Sequence, residues 1–183
     1  VNIRGLKRMA ADFAGKVPPP KCAPSTGKTV AVIGGGPGGL SAAYYLQLMG
    51  HQVTVYEMLP ELGGMLRYGI PNYRLPKDRL GEDIQAILDT GVQVKHGLRI
   101  GTDVTVQELR ASYDAVLITI GASTDKKLGI EGEDAEGVMS AVRFLRDVGK
   151  GINPDLAGQE VAIVGGGNVS MDAVRSAVRF GAK

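Results

Sequence analysis

The sequence predicts an α/β fold: a doubly wound parallel sheet followed by the start of a second unit of the same kind. Three observations predict it. Residues 29–57 read as strand, glycine turn, helix and strand. The strand and glycine turn recur at residues 160–170. Between them, residues 114–119 form a continuous apolar run of the kind buried inside parallel sheets.

The first unit opens on Val30-Ala31-Val32-Ile33, followed by Gly34-Gly35-Gly36-Pro37-Gly38-Gly39 and a helical run through Leu40 to Met49. Gly34, Gly36 and Gly39 occupy the G-x-G-x-x-G positions. Gly34 permits a tight turn, Gly36 lets a pyrophosphate approach the backbone, and Gly39 lets the helix close on the strand. Pro37 suits the first helical position because it has no amide hydrogen to leave unpaired. The amides of the first turn and the positive end of the helix dipole then face a phosphate. Gln52-Val53-Thr54-Val55-Tyr56 forms the next strand. It ends on Glu57, 18 residues beyond Gly39, where a carboxylate can accept both hydroxyls of an adenosine ribose. A lone glycine motif is weak, but here every flanking element is in place, so the unit reads as Rossmann-like and dinucleotide-binding.

Residues 1–16 show helical spacing of Ile3, Leu6, Ala10 and Phe13, with Arg4, Lys7 and Arg8 opposite. We expect a helix that packs on the rest of the chain rather than a membrane or nucleic-acid arm. Val17-Pro18-Pro19-Pro20-Lys21 must be extended, because successive prolines exclude helix. Residues 58–76 form a long loop with no obvious element of its own. Its apolar and aromatic content argues for function over disorder. A helix follows from about Lys77 to Thr90, with Leu80, Ile84, Ile87 and Leu88 as its buried stripe and Gly91 as its stop. Val92 to His96 alternates as a strand, which residues 98–100 extend. Residues 105–112 form a short helix, and the apolar run 114–119 ends on Gly121-Ala122, at the edge where ligands of doubly wound sheets sit. A charged connector spans residues 125–137. Ser140 caps a helix reaching about Val148.

The opening pattern then returns. Glu160-Val161-Ala162-Ile163-Val164 reads as a strand, Gly165-Gly166-Gly167-Asn168-Val169-Ser170 as a second glycine turn with Ser170 in the third-glycine place, and 171–180 as a helix. Gly165 stands 131 residues after Gly34. A full βαβ unit takes about 30 residues, and 23 remain from Val161. Two readings follow: the chain is a fragment of a longer protein, or its last strand and helix extend the first sheet. The divisions expected are 1–28 (amino-terminal helix and connector), 29–127 (first dinucleotide domain) and 128–183 (connector and start of the second).

Composition narrows the function classes. A net charge of +2 gives no reason to expect nucleic acid. No apolar run approaches the ~20 residues of a membrane helix, and no signal peptide opens the chain. The single cysteine, Cys22, cannot make an internal disulfide or hold an iron–sulfur cluster alone, and suggests a reducing compartment such as the cytoplasm. His51 and His96 stand too far apart in sequence to suggest a metal site. No catalytic acid, base or nucleophile stands out.

The sequence resembles the glutamate synthase small (β) subunit family, which includes the amino-terminal flavin portion of dihydropyrimidine dehydrogenase. Residues 3–14, 24–39 and 165–173 carry the likeness, as does the run Gly63-Gly64-Met65-Leu66-Arg67-Tyr68-Gly69-Ile70-Pro71-Asn72-Tyr73-Arg74-Leu75-Pro76-Lys77. That run is the most specific piece. The resemblance implies FAD in the first site and NADPH, or less often NADH, in the second. It implies that Gly36, Pro37, Gly38, Gly39 and Leu40 cradle the FAD pyrophosphate and that Glu57 binds the ribose. Gly64, Met65 and Arg74 would line the flavin side, Ile100 would flank the adenine, and Thr119 and Gly121 would end the strand beneath the cofactor. Gly165, Gly166, Gly167, Asn168 and Val169 would meet the nicotinamide dinucleotide. For Arg74 a surface ion pair is the rival reading. The implied activity is hydride transfer from NAD(P)H to FAD, with electrons passing to iron–sulfur clusters in a partner or another domain.

Ile120 departs from the family's usual Thr or Val, and could alter packing near the flavin. The family's iron–sulfur-binding cysteine segment and its later flavin segment do not occur in these residues. Disulfide reductases place two redox cysteines after the second-strand loop, and residues 63–77 contain none. A flavin monooxygenase or amine oxidase shares the first motif but does not explain the second. A binding module without turnover is the third reading.

Overall fold

The structure, a computed structural model, describes residues 1–15 and 17–183. Four parallel strands run β1 (Thr29–Ile33), β2 (Gln52–Glu57), β3 (Gln93–His96) and β4 (Ala115–Ile118), in the spatial order β3-β2-β1-β4. The chain builds outward from β1 on one side and then crosses to the other. The switch point therefore falls between β1 and β4, where open α/β sheets place their ligands. Val30 pairs with Val53 and Ala115, and Ile33 with Tyr56 and Ile118.

Strand alternation sorts the core into two layers. Val30, Val32, Val53 and Val55 face α2 (Pro37–Leu48) and α4 (Lys77–Leu88), meeting Leu40, Ala43, Leu80 and Ile84. Ala31, Ile33 and Tyr56 face the other way, toward Leu109 of α5 (Val106–Ser112). Thr105 starts α5 with a capping box: its hydroxyl accepts from the Glu108 amide, and Glu108 returns to the Thr105 amide at 2.7 Å. Covering both faces of β1 explains why its side chains from Val30 to Ile33 are all buried.

Five expectations need correction. Residues 98–100 do not extend β3, which ends at His96 ahead of Gly97, and Ile100 bridges to Val104 instead. The amino-terminal helix α1 spans Ile3–Phe13 but buries none of its residues, and Phe13 is 84% exposed. Its apolar stripe has the right period, but period alone does not supply a surface to pack on. Lys16, the last residue of that expected helix, lies outside the described residues. The loop after β2 contains a single helical turn, α3 (Met65–Tyr68), too short to show periodicity. The β4 run is an edge strand, with Ile118 59% exposed. Its apolarity signals that a cover fits there without supplying one. Residues 160–164 form no ladder with any described strand, and Val164 is 86% exposed. A strand needs a partner for its amides and carbonyls, and neither open edge of the sheet, β3 or β4, is used.

Beyond the sheet, α6 (Ala141–Gly149) starts on Ser140, whose hydroxyl accepts from the Arg143 amide. The helix packs so tightly on α3 that a Cβ on Gly149 would overlap the Tyr68 backbone. The last helix, α7, spans Asn168–Arg179, beginning three residues earlier than expected, and rests on α6.

Candidate functional site

The first glycine turn lies at the carboxyl end of β1, at the switch point. Gly34 has φ +105°, and a Cβ there would stand 2.6 Å from the Thr119 carbonyl oxygen. At Gly39 a Cβ would overlap the Gly34 carbonyl oxygen, so this glycine lets α2 close on β1. Gly36 is the N-cap of α2, with extended backbone and no side-chain cap, and Pro37 takes the first helical position. Leu40 is buried and its amide returns to the Gly36 carbonyl at 2.9 Å. Nothing stands within 4 Å of where a Gly38 Cβ would be. The turn therefore presents backbone and open space.

Thr119 locks this turn from β4. Its amide and hydroxyl both donate to the Ile33 carbonyl, at 2.8 and 2.9 Å, and the hydroxyl also reaches the Gly34 carbonyl at 3.1 Å. Gly121 continues from it at φ +67°, and the intervening Ile120 is 68% exposed, so it does not pack into the turn. Glu57, only 6% exposed, closes the β2 side. One oxygen accepts from the Gly35 amide at 2.7 Å and the other from the Leu59 amide at 2.8 Å. Each oxygen keeps lone-pair capacity for a hydroxyl.

The loop after β2 folds back onto the turn. The Gly63 amide donates to the Gly35 carbonyl at 2.8 Å. A Cβ on Gly64, at φ +51°, would stand 2.8 Å from the Gly36 Cα, so the two backbones meet glycine to glycine. Met65 follows as the first residue of α3. Arg67 fixes the far side, with Nε donating to the Leu62 carbonyl and Nη1 to Glu61, both at 2.6 Å. Lys77 Nζ donates to the carbonyls of Leu66, at 2.8 Å, and Ile70, at 2.5 Å. Burial, and secondarily the Arg67 charge, lowers its pKa to about 8. Ile100 packs in the α5-side layer and bridges to Val104. Arg74 pairs with Asp172 of α7 at 2.8 Å, with its side chain 42% exposed.

The second glycine turn repeats the first. Gly165 has φ +124°, matching the sign at Gly34, and Gly167 caps α7 at φ −81°, ψ 178°, against −79°, −177° at Gly36. Gly166 and Gly167 have open space where a Cβ would point. Asn168 and Val169 begin α7 without a side-chain cap, and Val169 is 47% exposed. Ser170 Oγ would stand 2.7 Å from a Cβ on Gly165, so the serine takes up the room that Gly39 leaves empty in the first turn.

Sequence reasoning missed Asp172 and assigned no role to Leu62 or Lys77. Leu62 packs where a Gly35 Cβ would otherwise stand. Asp172 carries no local signal, because its partner lies in another element. A cavity of about 800 Å³ lies elsewhere: Thr54, Tyr56, Lys95 and Tyr113 line it on the α5 side, and Gln52 and Gln93 at the amino-terminal edge of the sheet. The glycine turns lie at the opposite edge.

Residues 28–183 match the family described as pyridine nucleotide-disulphide oxidoreductase. The chain is 44% identical to the NADP(+)-dependent formate dehydrogenase subunit beta of Moorella thermoacetica, over 99% of this chain and 29% of that protein. It is 35% identical to the glutamate synthase [NADPH] small chain of Bacillus subtilis, over 100% of this chain and 40% of that one. The chain thus spans less than half the length of these relatives. Among solved structures, Mycobacterium tuberculosis FprA in complex with NADPH superposes with a TM-score of 0.72 at 28% identity, covering 84% of this chain and 36% of that chain. The likeness to glutamate synthase small chains, first carried by the 63–77 loop, is thus shown across the chain. With one cysteine in its 183 residues it holds no internal cysteine pair, but by sequence and fold it belongs to the pyridine nucleotide-disulphide oxidoreductase family.

Proposed function

We propose that this chain supplies the FAD-binding core and the opening of the nicotinamide-binding unit of an NAD(P)H-dependent oxidoreductase of the glutamate synthase small-chain kind. One observation carries the reading: two glycine turns with matching backbone geometry, each heading a helix with no side-chain cap. Uncapped helix starts with open glycines suit two anionic dinucleotides. The residues fit FAD at the first turn, since open space at Gly38, the Gly36–Gly64 contact and the buried Glu57 carboxylate leave a cradle a side chain would fill.

In this reading the Gly36, Gly38, Gly39 and Leu40 backbone holds the pyrophosphate and Glu57 the ribose. Gly64, Met65 and Arg74 flank the flavin, Ile100 the adenine, and Thr119 and Gly121 support the turn. Gly165, Gly166, Gly167, Asn168 and Val169 meet the second dinucleotide, with NADP(H) the form the relatives' names support. Bound FAD supplies hydride acceptance and onward electron release, here to an iron–sulfur acceptor in a partner or another domain. The protein's part is alignment, so no acid, base or nucleophile is assigned. The division at 28 and 127 and a cytoplasmic location belong to the same proposal. No helix among the described residues is long and apolar enough to cross a membrane.

The test is an absorption spectrum of the protein after FAD loading and desalting, followed by anaerobic NADPH. A retained flavin band that NADPH bleaches is the expected result. Retained flavin that NADPH leaves coloured makes the chain a binding module, the reading that the unpaired 160–164 run favours. Loss of all flavin from folded protein removes the first-site assignment.

A further inference from the structure

The loop beside the first glycine turn is fastened to the helix of the second by side chains of which Arg74 alone is also assigned to the flavin side. Arg74 Nη1 meets Asp172 Oδ2 at 2.8 Å, and the Asp172 side chain is 9% exposed. The Tyr73 hydroxyl reaches the Asp172 carbonyl oxygen at 3.3 Å and its Oδ1 at 3.4 Å. Arg175 and Arg179 lie on the same helical stripe as Asp172. Their guanidiniums stand 4.9 and 4.1 Å from the Tyr73 ring centre, within cation–π range.

Both halves of this contact are stiff. On the loop, the Pro71 carbonyl accepts the Arg74 and Leu75 amides, and Asn72 Oδ1 accepts the Lys77 amide. Lys77 ties the same loop to α3 through the Leu66 and Ile70 carbonyls. On the helix, Asp172 follows Gly167, the cap of the second turn, by little more than one helical turn. A shift of α7 would therefore carry the loop, and with it Gly64 and Met65. A nearly buried carboxylate also resists losing its cation, because the charge would be left uncompensated.

We propose that Tyr73, Arg74 and Asp172 form a clasp that sets the spacing between the two cofactor turns, making Asp172 a positioning residue for NAD(P)H-to-flavin transfer. The transfer role rests on the proposed function; the mechanical link does not. Asp172 is absent from both glycine turns and, among the described residues, meets the loop beside the first site through Tyr73 and Arg74.

Amide hydrogen exchange on the intact protein, with and without FAD, tests the link. Asp172→Asn should raise exchange in residues 70–76 and in the first turns of α7 about tenfold, leaving β1 and β2 unchanged. Stopped-flow reduction by NADPH tests the role. Asp172→Asn should slow flavin reduction about tenfold, with dithionite reduction unaltered, and the Arg74→Asp/Asp172→Arg swap should recover more than Asp172→Arg alone. Unchanged exchange in residues 70–76 overturns the clasp, and so does a swap no better than the single reversal. If the charge reversals fail to fold, Tyr73→Phe serves, since it removes only the hydroxyl, and normal exchange and reduction in it also overturn the proposal. Wild-type protein that keeps flavin but is not bleached by NADPH sinks the functional reading, and the positioning role with it, whatever the exchange shows.

Discussion

Glycines in the first site carry different loads, and alanine should separate them. Gly64 sits at φ +51° with the Gly36 backbone in its way, so Gly64→Ala should destabilise the fold by roughly 2 kcal/mol or more. Gly38 lies inside α2 with open space around it, so Gly38→Ala should stabilise the apoprotein by about 0.5–1 kcal/mol through helix propensity. In the proposed cradle the same methyl group takes up the open space left for the cofactor, so FAD affinity should fall about tenfold. Urea unfolding and FAD titration of both variants check this, and a Gly38→Ala protein that binds FAD normally removes the cradle from this turn. Glu57→Gln leaves one of two backbone amides without an acceptor and should cost about 1–3 kcal/mol in the same assay. These residues were legible in the sequence because a glycine turn is a local object whose backbone demands fall within a few positions. Asp172 was not, because its meaning comes from Arg74, distant in the chain and joined to it only by the fold.

Elements were legible where their signals lay within themselves. The Ser140-capped start of α6 and the stripe of α4 needed no neighbour to be recognised, whereas the exposure of β4 and the unpaired 160–164 run depend on what lies alongside. The start of β4 shows how two distant elements are joined. Asp114 accepts from Lys28 Nζ at 2.8 Å, the Thr29 amide at 2.9 Å and the Thr29 hydroxyl at 3.1 Å, tying the head of β4 to that of β1. The Lys28 hydrogen bond, then the two from Thr29, hold its pKa at about 2, below the usual 3.8. A depressed carboxylate pKa contributes stability above the unfolded value, and that contribution is lost as pH falls through the folded one. Wild-type protein should therefore melt above Asp114→Asn at neutral pH, with the gap closing between about pH 4 and pH 2. Thermal melts across that range decide it, and a constant gap would assign the effect of Asn to packing instead.

At the scale of the whole chain, stability should follow buried area rather than helix count. The sheet with α2, α4 and α5 holds both layers of the core, and α3, α6 and α7 pack one on the next beside it. The sequence pattern points to the sheet because alternation and apolar runs record burial on each face. It also marks α1 as amphipathic, yet α1 contributes no buried residue, with Ile3 and Leu6 64% and 52% exposed. Hydrophobic stabilisation scales with area removed from water, so a helix that removes little adds little. Deleting residues 1–19 should change the urea-unfolding free energy by no more than about 0.5 kcal/mol, within the range of surface changes. Ala23 and Thr26 must stay, because the Ala23 amide meets the Leu48 carbonyl and the Thr26 amide the Gly50 carbonyl, which fastens the entry to β1 against the end of α2. Cutting further, to residue 28, should cost more than the first deletion, since both of those backbone bonds go with it. Equal losses for the two deletions would mean that α1 packs on the domain in solution, and no loss in either would put the whole of the first 28 residues outside the folding unit.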